Sequence, residues 1–192
     1  ELGDSLSGFM RELDLVPTGG RWGSISRLKE QTKRLFASSI TAIHEQGDGT
    51  QIINQTLADK AVFWWHPTDP NQTTLWKSSI NLTETFYKEI VDRPVPIDMR
   101  AIKALKKSPM ALDIYTWLTY RMSYLKKPTA IPWSSLAMQF GSNYSRLTDF
   151  RLAFSAELKK VVTVYGGVQV EVSPTGLLVK PSLTHIGKKG DR

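Results

Sequence analysis

The sequence predicts an α+β chain of two tandem helix-plus-hairpin domains, residues 1–93 and 94–192, and three observations predict it. Residues 109–181 run as one plan: Ser108-Pro109 opens a long apolar helix, Ala130-Ile131-Pro132-Trp133 leads into a second, Asn143-Tyr144-Ser145-Arg146 opens a third, and 168–181 alternates like a hairpin. That order of helix, helix, recognition helix and wing is a winged-helix plan, which places a helix in the DNA major groove and needs no catalytic centre. Arg93-Pro94-Val95-Pro96 is the clearest break in the chain, because two prolines so close forbid regular structure, and it sets the domain boundary. The third observation is a weak internal echo. Ser26-Arg27-Leu28 and Ser145-Arg146-Leu147 each open a helix, and each helix is expected to run into a β-type segment, 40–43 and 161–164. If the two halves are copies, the counterparts of residues 98–126 fall before Glu1, so the first winged helix lacks its leading helices. A chain that starts without Met is then expected to be a trimmed piece of a longer one.

Taken in order, residues 4–15 carry Leu6, Phe9, Met10 and Leu13 at helical spacing with Asp4 as the cap, and 16–20 break the pattern with Pro17, Gly19 and Gly20. A helix is expected over 21–37, with Leu28, Thr32, Leu35 and Ser39 on one face and Arg27, Lys29, Lys33 and Arg34 round the other. Strands at 39–45 and 51–65 flank Gly47-Asp48-Gly49, a hairpin signal. Trp64, His66-Pro67 and Asp69-Pro70 read as a loop, 75–82 as a third strand, and Thr83 as the cap of a short helix to Val91. Asp98 caps a helix to Lys107, and Pro109 sits at the first position of the next. In that helix Ile114, Trp117, Leu118, Met122 and Leu125 form the core stripe, leaving Tyr115, Tyr120 and Tyr124 elsewhere on the wheel. Leu147, Phe150, Phe154, Leu158 and Val161 anchor the helix over 145–160. A strand at 168–172, a turn at Pro174-Thr175-Gly176 and a strand at 177–180 follow.

The 192 residues are 41 % apolar, enough to build cores, and carry a formal charge of +7 that favours polyanionic partners. Lack of cysteine excludes disulfides, thiolate metal sites and thiol catalysis. No apolar run approaches the roughly 20 residues of a membrane span, and no signal-peptide pattern opens the chain. His44, His66 and His185 are scattered rather than set at metal-ligand spacing, so a nickase's histidine cluster is missing. No nucleophile elbow or carboxylate cluster is present, and the expectation is a protein without enzymatic activity, cofactor or metal.

The sharpest candidate is the start of the 145–160 helix. Ser145, Arg146, Thr148, Asp149, Leu152, Ala153 and Ala156 point outward, and the N-terminal end of a recognition helix is the end that reaches base edges. Arg146 suits a guanine and Asn143 an adenine; Asp149 either accepts from a cytosine amine or orients Arg146; Tyr144 and Arg151 complete this set. The alternative is an ordinary amphipathic surface helix, on which an exposed Leu152 would be out of place. At the hairpin, Thr175 and Lys180 are candidate phosphate contacts. Arg100, Lys103, Lys106, Lys107, Arg121, Lys126 and Lys127 outweigh Asp98 and Asp113, and such clusters hold phosphate without reading sequence. Residues 18–24 read as the tight turn of the first DNA-binding unit, with backbone N–H groups and Arg21 toward phosphate and Arg27, Lys29, Lys33 and Arg34 following. The nucleotide-binding glycine-lysine-serine ending is absent. Trp64-Trp65-His66 reads as a core edge rather than a functional patch.

Val16-Pro17-Thr18-Gly19-Gly20-Arg21-Trp22-Gly23, the run from Val95 through Lys107-Ser108-Pro109 to Tyr115, and Trp117 to Leu125 resemble the RepA-type plasmid replication initiators. So do Ile131-Pro132-Trp133, Gln139-Phe140-Gly141 and the segment 150–164; the likeness spans almost the whole chain except the tail after Ser182. The resemblance implies a bacterial cytoplasmic, plasmid-associated initiator. It would bind directly repeated sites (iterons) in double-stranded origin DNA and open the origin as a monomer. It would recruit the host initiator and replicative helicase, and form a homodimer through the first domain to repress its own promoter and control copy number. The competing readings are a winged-helix repressor acting only at a promoter operator, and a protein-interaction module that binds no DNA.

Overall fold

The computed structural model describes residues 5–46, 49–63, 78–92, 94–141 and 143–187, and the chain divides into two units, 1–94 and 95–192. In the first, helix α1 spans Leu6–Glu12 and is capped by Ser5, whose Oγ accepts the Gly8 N–H at 3.1 Å; the expected cap, Asp4, lies outside the described residues. Helix α2 spans Ser24–Phe36, beginning three residues later than expected because the 16–26 segment is tied into a loop of its own. The chain continues as strands β1 (Ser39–Gln46) and β2 (Gly49–Thr56), which pair antiparallel in the register Ile43↔Ile52 and Gln46↔Gly49. The expected hairpin is therefore present, with Gly47 and Asp48 outside the described residues.

The long second strand expected over 51–65 is instead two strands. It breaks at Leu57, which is buried, and the chain resumes as β3 (Ala58–Val62) paired with β4 (Ser79–Leu82). Residues 64–77, and with them the expected loop, the Trp64-Trp65-His66 patch and the start of the third strand, lie outside the described residues. Helix α3 (Glu84–Asp92) follows Thr83, whose Oγ1 accepts the Phe86 N–H.

The second unit runs α4 (Met99–Leu105), α5 (Pro109–Met122), β5 (Thr129–Pro132), α6 (Trp133–Phe140), α7 (Leu147–Tyr165), β6 (Gln169–Val172) and β7 (Gly176–Lys180). Asp98 and Ser108 cap α4 and α5 as their sequence positions predict. One sheet, ordered β5-β7-β6 and wholly antiparallel, closes the unit, so β7 is its central strand and buries Leu177 and Val179. β5 was expected only as a lead into a helix. Its four residues pair with β7, from Thr129↔Val179 to Pro132↔Gly176, and Pro132 ends the ladder on an edge strand that does not need its missing N–H.

A single cluster of buried residues from α4, α5, α6, α7 and the sheet forms the core, with Phe150 and Phe154 on α7 at its centre beside Trp133 and Phe140. Two expectations fail here for one reason. Val161 to Val164 were expected to be β-type, yet they are helical, because Val161 continues the buried stripe of Phe150, Phe154 and Leu158 at helical spacing and burial outweighs β-branched propensity. The helix stops at Gly166, whose φ of +68° an L side chain rarely adopts. With 161–164 helical, and Ser26 lying inside α2 while Ser145 precedes α7, the internal echo loses its shared sequel. Leu147, expected in the stripe, is instead exposed at the first position of α7.

Tyr115, placed away from the core stripe by the sequence, is fully buried, and Trp117 is only half-buried. Tyr115 is inside because its hydroxyl has partners there: it accepts the Asp98 N–H at 3.0 Å and meets His185 Nδ1 at 2.9 Å. Tyr165 stacks on the His185 ring, accepts the His185 N–H at 3.0 Å and donates to the Leu183 carbonyl. This polar knot ties the segment after β7 back onto α5 and α7.

Candidate nucleic-acid interface

Charge divides unevenly between the units. Residues 95–192 hold fifteen Lys and Arg against six Asp and Glu, a net +9, whereas residues 1–94 hold ten against twelve, a net −2. The polyanion-seeking charge of the chain therefore belongs to the second unit.

Within it, the entry to α7 is open to solvent: Asn143, Tyr144, Ser145, Arg146, Leu147 and Thr148 are exposed and Asp149 is half-exposed. Arg146 donates from Nε to Asp149 Oδ2 at 2.8 Å, one turn along the helix. Of the two roles open to Asp149, orienting Arg146 is the one this contact supplies, and it leaves the terminal guanidinium nitrogens able to reach outward. Tyr144 is held edge-on to Phe150 at 5.8 Å, so the loop before α7 is anchored to the core. Leu152 is 74 % exposed on the same helix.

Trp133 connects this helix to the hairpin. Its backbone N–H donates to the Thr175 carbonyl at 3.2 Å and its indole N–H to the Ser173 carbonyl at 3.0 Å, which fixes the β6–β7 turn against the start of α6. The Arg151 guanidinium lies over the same indole, 5.2 Å from its centroid. One buried tryptophan thus sets the spacing between Arg151 on α7 and Thr175 on the turn. The sequence reading singled out both residues and missed the link; the signal was a tryptophan between a strand proline and a helix. Lys180 is less available than Thr175, because Glu171 on the facing strand takes its charge in an ion pair.

The wider basic set is not uniform. Arg100 is committed to Asp98 (Nη2 to Oδ2, 2.7 Å), and its N–H groups hold the Asp98 carboxyl down at about 2. Arg121 lies over the half-buried Trp117, whereas Lys106 and Lys107 are exposed between α4 and α5, and Lys126 and Lys127 are exposed after α5. Burial pushes the Tyr115 and Tyr165 hydroxyls above the usual phenol range, so neither contributes charge.

In the first unit the predicted turn at 18–24 is present and tightly built. Ser24 and Thr18 bond reciprocally, each backbone N–H to the other's hydroxyl at 2.9 Å, and Ser24 Oγ donates to the Val16 carbonyl at 2.6 Å. Ser26 Oγ donates to the Gly20 carbonyl and the Gly23 N–H closes onto it too. Gly23 is required, since a Cβ there would lie 2.2 Å from the Thr18 carbonyl oxygen. These bonds engage the backbone N–H groups of Thr18, Gly23 and Ser24 and tie the two ends of the turn together. Arg21 stands over the ring of Trp22 at 5.3 Å, and Arg27 and Arg34 are exposed on α2. Lys33 pairs with Glu30 at 3.1 Å, and Lys29 is half-buried.

Among the described residues no group of His, Asp and Glu is arranged to hold a metal ion, and no helix is long and apolar enough to cross a membrane. A family model described as plasmid encoded RepA protein matches residues 1–134, more than two thirds of the chain. The match ends two residues into α6, so α7 and the hairpin lie beyond it, as do the 139–141 and 150–164 segments of the resemblance. No curated protein and no solved structure matches the chain.

Proposed function

The chain belongs to the family of plasmid-encoded RepA proteins, and from that premise we propose that it is a replication initiator which binds repeated sites in double-stranded plasmid origin DNA. The observation that carries the reading is the entry to α7: an exposed helix start, with Arg146 aimed by Asp149 and an uncovered Leu152, on the unit that holds the positive charge. We take residues 95–192 as a winged helix, with α5 and α6 as support, α7 as the reader in a major groove and β6–β7 as the wing. The element order and the β5-β7-β6 sheet support it. Asn143, Tyr144, Ser145, Arg146, Thr148 and Asp149 read bases, and Lys106, Lys107, Arg151, Thr175 and, more weakly, Lys180 hold phosphates.

Residues 1–93 act in this proposal as a second DNA-contacting domain, contributing Arg21, Arg27, Lys29, Lys33 and Arg34. The same domain offers the surface for a homodimer. The protein acts without catalysis or cofactor, in the bacterial cytoplasm, opening the origin and bringing the host initiator and replicative helicase to it. No observation favours repression of a promoter as its only act. A nuclease-protection footprint on origin repeats tests the two-reader form. Protection over successive major grooves, about one helical turn apart, is expected; protection confined to one groove would remove the first domain from the reading.

A further inference from the structure

We propose that Trp22 is a stacking site for an unpaired nucleobase, so that the first domain holds single-stranded DNA in addition to its duplex contacts; this rests on the DNA-binding reading above. Trp22 is 80 % exposed, at the tip of the hydrogen-bonded 16–26 loop. The backbone that carries the ring is held in advance by these bonds, so little loop freedom remains to be lost when a ligand arrives. A folding role does not account for it, because the ring is nearly bare, while the backbone beside it is closed at Gly23, where a Cβ would lie 2.2 Å from the Thr18 carbonyl oxygen.

Charge chooses the ligand. Residues 16–38 carry five Lys and Arg and one Glu, whereas the rest of the unit carries five against eleven acidic residues. The exposed indole therefore sits at the start of the one basic stretch in an otherwise acidic unit, which suits a polyanion. Arg21 lies over the indole ring. A base stacked on the indole would have that guanidinium at hand for its phosphate, the combination by which single strands are held without sequence preference. An unpaired base fits better than a paired one. Every base of a duplex is covered on both faces, and inserting an indole would first require a step to be opened.

The test uses the full chain with two probes, a mixed-sequence single-stranded oligodeoxynucleotide and the duplex made from it, followed by fluorescence anisotropy. Trp22→Ala is expected to bind the single strand about five- to a hundredfold more weakly with duplex affinity unchanged, and Trp22→Phe, which keeps a ring, to recover much of the loss. Circular dichroism should be unaltered, since the side chain is exposed. Unchanged single-strand affinity in Trp22→Ala, or an equal loss on both probes, would overturn the proposal and leave the ring to a protein partner. Failure of the wild-type chain to bind duplex at low salt would instead sink the DNA-binding reading itself.

Discussion

The two halves of this chain are nearly equal in length, 94 and 98 residues, and differ in almost everything else. The second buries seventeen residues in one apolar cluster and closes a three-stranded sheet. Among the described residues of the first, the buried apolar side chains are Leu6, Met10 and Leu57. The amphipathic α2 buries none, and Ile40, Ile43, Ile52, Ile53, Tyr87, Ile90 and Val91 are exposed. The charge follows the same division, +9 against −2. A self-contained, basic unit suits the duplex reading proposed for it, while a unit with isoleucines on both faces of a two-stranded hairpin has apolar surface left to cover. We take that surface as the homodimer face of the proposal.

The largest effect expected from this contrast is on separated halves. Residues 95–192 alone should unfold in one cooperative thermal transition and retain duplex binding, whereas 1–94 alone should melt broadly, as followed by circular dichroism. A sharp transition for 1–94 would break the comparison. Single truncations should repeat the pattern at smaller scale. Phe154→Ala, at the centre of the aromatic cluster, should cost about 3–5 kcal/mol in denaturant unfolding. Leu35→Ala on α2, half-exposed, should stay within about 0.5 kcal/mol.

Trp133→Phe removes the indole N–H bond to the Ser173 carbonyl but keeps a ring, so stability should fall by about 1 kcal/mol. Duplex affinity should fall as well if Trp133 positions both contacts. Adding Thr175→Ala or Arg151→Ala to it should then cost less than either does in the wild type, and full additivity in such a cycle would remove the link. A further effect concerns acid. The Asp98 carboxyl is held at about 2 against an ordinary 3.8, so its contribution is present above pH 4 and disappears as pH falls from 3.8 toward 2. Asp98→Asn should flatten that part of the pH–stability curve and lower stability at every pH above about 4.

Where local chemistry decides, the sequence was enough. The caps at Asp98, Ser108 and Thr83, the Gly47-Asp48-Gly49 hairpin and the outward face of α7 all rest on side-chain types at fixed spacing. Where burial decides, it was not. Val161 to Val164 carry β-forming residues and become helix because Phe150, Phe154 and Leu158 draw them into one stripe. The four-residue strand β5 exists only because β7, far along the chain, pairs with it. The site divides in the same way. Arg146 and Asp149 stand three residues apart and could be paired by eye, whereas Trp133 reaches Ser173 across 40 residues and Tyr115 reaches His185 across 70.

The central claim is that the entry of α7 reads base sequence, and the most direct measurement compares wild type with Arg146→Ala on a set of origin-repeat duplexes, each altered at one base pair. The account predicts a loss of about 1–3 kcal/mol on the intact repeat and lost discrimination at a single base position. Lys107→Ala in parallel should weaken every duplex alike and lower the salt slope by about 1. An Arg146→Ala protein that binds and discriminates like wild type would contradict the account.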